Sequence, residues 1–147
     1  MTDNRQPTIC TVMRLRRSTR KATRVYDRHF TKLGIGIAQF GILQAIAFAK
    51  QGSISEIADS IDMERSTLTR NLRPLVTARL VTIEEGKNKR VRSVSLTNEG
   101  QQLLKTARRS WRKAQSEVRD LMGEDDLHAL HGLLAQLLER LPNPDIK

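Results

Sequence analysis

Residues 64–75 read ERSTLTRNLRPL. Leu68, Leu72 and Leu75 recur at spacings of four and three, the period of one face of an α-helix. Around them stand Arg65, Ser66, Thr67, Thr69, Arg70 and Arg73, so only a narrow stripe of this helix can face a core. The other side needs a different partner. Arginine can fork onto guanine O6 and N7 or clamp a phosphate, and serine and threonine are short enough to let a backbone approach. Pro74 removes one helical hydrogen bond and predicts a bend that leaves residues 65–73 able to dock.

The neighbouring sequence gives this helix a setting. Ser53-Ile54-Ser55-Glu56 has the pattern of a capping box, in which Ser53 and Glu56 satisfy each other's amides at a helix start. Ile54, Ile57, Ala58 and Ile61 then face inward, and after Asp62-Met63 the opening helix follows, its stripe continuing through Val76 and Leu80. Before them, residues 37–48 place Phe40, Leu43, Ala47 and Phe48 at helical spacing, with Gln51-Gly52 as the expected glycine stop. After them, LVTIE (80–84) and VRSVSL (91–96) flank EGKNKR (85–90), which predicts a β-hairpin with Lys87, Lys89, Arg90 and Arg92 at a basic tip. Two short helices joined by a tight turn, the second with an arginine and hydroxyl face, form the helix-turn-helix arrangement that lays one helix in a major groove. A basic hairpin beside it can reach phosphates or a minor groove.

Both chain ends predict amphipathic helices. In the first, Val12, Leu15, Thr19, Ala22, Tyr26, His29 and Leu33 form one face, and Arg14, Arg17, Lys21, Arg24 and Arg28 line another. A second starts at Thr97, a natural N-cap, and carries Leu104, Ala107, Trp111, Ala114, Val118 and Leu121. Gly123 ends it. Acidic residues fill the next first turn, where the helix dipole favours them, and Leu127, Leu130, Leu134, Leu137 and Leu141 make a third seam before Pro142 and Pro144. Three such seams exceed what a small middle domain can cover, so they are expected to pack against a second copy. The organisation read from the sequence is a dimerisation helix over 1–36, a DNA-binding domain over 37–96 and dimerisation helices over 97–147. The fold class is mainly α with one small β-hairpin.

Charge agrees with a polyanionic partner. The 147 residues carry 26 Lys and Arg against 16 Asp and Glu, a net charge of +10. Residues 1–32 hold nine of the cations and two acids, and residues 65–92 hold eight and two. From Leu121 onward the sign reverses, so the basic surface is local. The longest apolar run, around 40–49, is short of the roughly 20 residues a membrane span needs. No apolar signal segment follows the first charges, so a cytoplasmic location and no membrane partner are expected.

LGIGIAQFGILQAI, the run SISEIADSIDMERSTLTRNLRPLVTARLVTIEEGKNKRVRSVSLTNEGQQLL and the flanking helices together resemble the multiple-antibiotic-resistance regulator (MarR) family of bacterial transcription factors. The resemblance spans roughly residues 10–141. It implies a winged helix-turn-helix whose terminal helices build a two-fold homodimer, binding double-stranded DNA at a palindrome and repressing until an effector or oxidant relieves it. Carried onto this chain, Arg65, Ser66, Thr67, Thr69 and Arg70 take the recognition-helix role, and Lys89, Arg90 and Arg92 the wing role. The family wing often carries two aspartates and an arginine at its tip, whereas this one reads Glu85, Lys87 and Asn88.

For the switch, the resemblance implies a small aromatic or acyl effector between the dimerisation helices and the winged domain. Tyr26, His29, Phe30, Phe40 and Trp111 would face that junction, four aromatics in a chain with only 3% of them. Their other reading is core packing. Redox sensing through the single cysteine, Cys10, is an alternative, since Arg14 and Arg17 lie one or two turns away and a cationic setting favours thiolate. Inert packing is the simpler role. His29, His128 and His131 lack the cysteines or clustered carboxylates of a metal site. No phosphate loop, metal motif or catalytic triad stands in the sequence, so neither an enzyme nor a cofactor is expected. A sequence-independent architectural nucleic-acid binder is the remaining rival. It would need the charge but not the hydroxyl-rich helix.

Overall fold

The computed structural model describes residues 10–86 and 91–142. Helices α1 (Thr11–Phe30), α2 (Ile37–Ala49), α3 (Ile54–Ser60), α4 (Arg65–Thr77), α5 (Asn98–Met122) and α6 (Glu124–Arg140) surround a small sheet of β1 (Gly52–Ser53), β2 (Val81–Glu85) and β3 (Arg92–Leu96). A 3-10 turn, Thr31–Leu33, links α1 to α2. The sheet is antiparallel in the order β1-β3-β2, with Gly52 opposite Val94 and Ile83 opposite Val94 on the other side. Among the described residues no single helix is long and apolar enough to cross a membrane.

The core lies where α2, α3, α4, α5 and β3 meet. Leu43, Ile46, Ile57, Leu68, Leu72 and Val94 are fully buried there, and no buried side-chain polar atom among the described residues lacks a partner. The inward face of α2 is turned from the expected one. Ile42 and Ile46 join Phe40 and Leu43 inside, while Phe48 is 91% exposed. Helices α1, α3 and α5 and strand β3 all pack on α2, so its buried face is set by these neighbours and not by its own widest apolar residue. Likewise Val76 stands 38% exposed outside the leucine stripe, and Leu80 precedes the strand as a half-buried turn residue.

Helix ends are local chemistry, and most match the sequence. Ser53 Oγ accepts from Glu56 N at 3.2 Å, and the Glu56 carboxylate accepts from Ser53 N at 2.7 Å. That backbone bond holds the Glu56 carboxyl below its usual range. Thr97 Oγ1 accepts from Gly100 N at 2.9 Å and donates to the Arg79 carbonyl at 2.7 Å, tying the start of α5 to the end of α4. Gly123, at φ 80°, separates α5 from the acidic first turn of α6.

Gly52 does not stop α2. The residue with positive φ is Lys50, and Gly52 is buried in β1, where an added Cβ would stand 2.9 Å from the Ala49 Cβ and 3.2 Å from Ile57. The glycine serves close packing of the strand against α2 and α3. The hairpin strands fall at 81–85 and 92–96 instead of 80–84 and 91–96.

Candidate nucleic-acid interface

Helix α4 is built on its leucines. Leu68, Leu72 and Leu75 are at most 1% exposed, seated toward α3 and β2. Helical geometry then sends Ser66, Arg70, Arg73 and Thr77, spaced four, three and four apart, to the opposite side, and all four are exposed. Arg65 is exposed at the flank of the first turn, and Thr67 and Thr69 are half-buried. Two hydroxyls are partly engaged within the helix. Thr69 Oγ1 donates to the Arg65 carbonyl at 2.8 Å, so it offers only acceptor capacity outward, and Arg70 Nη2 reaches Thr67 Oγ1 at 3.4 Å. Ser66, Arg70 and Arg73 are therefore the main outward donors. Thr77 shares their face but had no place among the expected contact residues. Pro74 lies inside α4, which continues past it to Thr77.

The turn before α4 contains no glycine. Met63 N bonds the Ala58 carbonyl at 2.9 Å and Asp62 N bonds Asp59 at 3.3 Å, with Asp62 at φ 49°. This is a Schellman ending with aspartate in the left-handed position, one of the few side chains that visits it readily. Helix α4 ends the same way through Arg79 at φ 58°, with Leu80 N bonded to the Leu75 carbonyl. The turn before α4 and the end of α4 are thus both fixed by backbone bonds, which restrains the orientation of its outward face.

Beside it, β2 and β3 form the wing. Glu85 pairs with Arg92, Gly86 N donates to the Val91 carbonyl at 2.7 Å, and Thr82 and Ser95 join hydroxyls across the strands. Arg92 is exposed at the base of the tip. The tip cations Lys87, Lys89 and Arg90 lie outside the described residues.

Residues 30–112, more than half the chain, match the ArnR1-like winged-helix domain. The crystal structure of the M. tuberculosis transcriptional regulator MOSR in complex with DNA is 32% identical, with 90% of this chain and 100% of that one covered and a TM-score of 0.77. The chain belongs to the MarR family of winged-helix regulators. A mutant of E. coli MarR complexed with operator DNA shares the fold at 24% identity, covering 84% of this chain and 90% of that one, with a TM-score of 0.77. The transcriptional repressor CouR bound to a 23-mer duplex shares it at 20% identity, covering 88% and 92%, with a TM-score of 0.79. No curated protein sequence matches the chain.

In this MarR-family regulator the five residues expected at the effector junction do come together, around the joint of α1, α2 and α5. Phe30 and Phe40 are ring neighbours at 5.3 Å, and Trp111 stacks on Phe40 at 6.4 Å. Phe30 is fully buried and Phe40 is 4% exposed, so both serve as core, while Trp111 is 37% exposed. Tyr26 donates to Gln115, and burial raises its hydroxyl pKa. His29 Nε2 meets Glu117 at 2.6 Å, and Arg28 reaches the same carboxylate at 2.7 Å. The His29 bond, helped by Arg28, lowers the Glu117 pKa.

None of the five lines the open hollow of about 720 Å³ between α2, α3 and α5. Its walls include Gly41, Ala45, Phe48 and Ile61, and at its edge Arg108 donates through Nε and Nη2 to Gln44 Oε1 at 3.0 and 2.8 Å. Gln44 and Phe48 share the exposed face of α2, a face that could be found only once the neighbours of α2 were known. Cys10 is exposed and caps α1 by its carbonyl, which accepts from Arg14 N at 3.1 Å. Among the described residues no three His, Cys, Asp or Glu side chains cluster as metal ligands would.

Proposed function

We propose that this regulator binds double-stranded DNA as a homodimer at a palindromic operator and represses transcription there. The observation that carries the reading is the outward face of α4, where Ser66, Arg70 and Arg73 are exposed, no acid intervenes, and three buried leucines hold the opposite side. Such a face matches the donor pattern of the major groove. The basic wing beside it supplies phosphate contacts, and the DNA complexes of MOSR, MarR and CouR support the same use here. In this reading residues 37–96 read DNA, and α1, α5 and α6 join two copies. Half-sites about one helical turn apart follow from two-fold symmetry.

Release by a small aromatic or acyl effector completes the proposal. The hollow between α2, α3 and α5 offers apolar Ala45, Phe48 and Ile61, with Glu56 and Ser60 also on its lining, and the Arg108 guanidinium, which has further N–H groups for a carboxylate beyond those given to Gln44. A ligand wedged there would act on α2, which links the terminal helices to the winged region, and so shift the population between two dimer geometries.

Fluorescence anisotropy on DNA flanking the protein's own gene, with scrambled DNA as control, tests the reading. Arg70→Ala is expected to lose about 1–3 kcal/mol on the operator and little on scrambled DNA. Equal losses on both would replace the groove reader with a charge binder. Aromatic acids or acyl thioesters that release only the operator complex would support the effector site, and Arg108→Gln should blunt that release.

A further inference from the structure

We propose that the outer face of α1 is a second, sequence-independent DNA-binding surface, which takes a second duplex while α4 holds the operator. The inference rests on the DNA-binding reading of α4 but on different residues. Helix α1 carries Arg14, Arg17, Lys21, Arg24 and Arg28 along one row with Arg16 and Arg20 beside it, and every one of these seven is exposed. The row is turned away from Tyr26 and Phe30, the side that packs inward, and runs about 21 Å along the axis.

Nothing within the helix neutralises it. Asp27, the only acid in α1, has its Oδ1 engaged by the Ile37 amide at 2.8 Å. Among the described residues only Arg28 of the seven forms an ion pair, with Glu117. Like charges three or four positions apart each destabilise a helix by about 0.2–0.5 kcal/mol, and α1 holds such pairs at 14/17, 16/20, 17/20, 17/21, 20/24, 21/24 and 24/28. An ordinary solvated face would alternate signs. This one keeps a single sign at a cost in stability, which a bound polyanion would reverse.

The choice of cation narrows the partner. Six of the seven are arginine, the side chain that forks onto phosphate oxygens, where lysine would serve for solubility. A duplex offers negative charge continuously along such a length. The acids of α6 offer a poorer match for the row in a second copy, since Glu124, Asp125 and Asp126 occupy a single turn. The main contacts of α1 are with α5, α2 and the 3-10 turn and not with α4 or the wing, so the row and the recognition face are separate surfaces.

The test uses full-length protein saturated with unlabelled operator duplex and titrated with a fluorescent scrambled duplex. Binding of this second duplex is expected, at least ten-fold weaker in the variant Arg14→Gln/Arg17→Gln/Lys21→Gln/Arg24→Gln and with a log-log salt slope lower by about 3–4. Operator affinity of that variant should stay near wild type. The proposal is overturned by no second binding, by equal binding of the variant, or by a variant that sediments as a smaller species, which would place the row against another copy. Arg70→Ala keeps the two readings apart. If it leaves operator binding intact the α4 reading fails, while the difference in scrambled-duplex binding between proteins with and without the four α1 substitutions, both in the Arg70→Ala background, still reports on α1.

Discussion

At Gly100 an added Cβ would lie 2.0 Å from the Leu80 carbonyl oxygen, a backbone atom that cannot swing aside. The first turn of α5 presses there against the connection from α4 to β2, the same place where Thr97 grips the Arg79 carbonyl. Gly100→Ala must push the connection between α4 and β2 away from α5. It is expected to destabilise the fold by about 1–3 kcal/mol, read as a lower urea midpoint. Glu117 gives a residue-scale dependence on pH. Its pKa is lowered in the folded protein, mainly by the bond to His29, so its contribution is complete above the ordinary carboxylate range and disappears as pH falls through the lowered value. Glu117→Gln should flatten this acid limb of a stability-against-pH curve, and an unchanged limb would show that the tie between α1 and α5 contributes nothing. Neither residue was legible beforehand, because each acts on a partner far away in sequence. Asp62 and Arg79 were hidden for another reason. Left-handed helix ends advertise themselves when they use glycine, and these two do not.

Helix starts and the α4 stripe, which neighbours in sequence fix, are legible in the sequence, whereas features set by distant neighbours are not, and the helix end at Lys50 escapes because glycine does not mark it. The Ser53 and Glu56 cap and the Thr97 cap each need only four consecutive residues, so the pattern and the hydrogen bonds coincide. The leucine stripe of α4 behaved the same way, since its period is intrinsic to a helix. By contrast β1 is two residues long and exists only because β3 runs beside it, and the inward face of α2 depends on four surrounding elements. The candidate site divides likewise. Its outward arginines and Ser66 follow from periodicity, whereas the engagement of Thr69 within the helix and the hollow edged by Arg108 depend on atoms that no repeat fixes. The cap makes a prediction for its own element: Ser53→Ala should cost about 1 kcal/mol of unfolding free energy. Because α3 packs against α4, operator binding should weaken with that loss only near the unfolding midpoint.

For the whole molecule the decisive surface is the one a single chain leaves uncovered. In α6 only Leu127 is buried, while Leu130, Leu133 and Leu138, and Leu141 just after the helix, are 40–69% exposed, and Val12 and Met13 of α1 are 58% and 65% exposed. Apolar side chains gathered on helices at both chain ends form the kind of patch that marks an interface. No acid, lysine or arginine stands between Asp126 and Glu139 of α6, so covering these leucines there asks only the neutral-polar His128, His131 and Gln136 to give up water. If a second copy covers this surface, folding and association are coupled, and the thermal midpoint should rise with protein concentration. Leu133→Glu/Leu138→Glu should then sediment as a monomer and lose that concentration dependence. The variant should also bind a full palindrome no better than a single half-site, because the gain from two linked recognition helices disappears with the second copy. A variant that stays dimeric would move the interface off α6. A monomer that still preferred the full palindrome would sink the two-fold reading of DNA recognition itself.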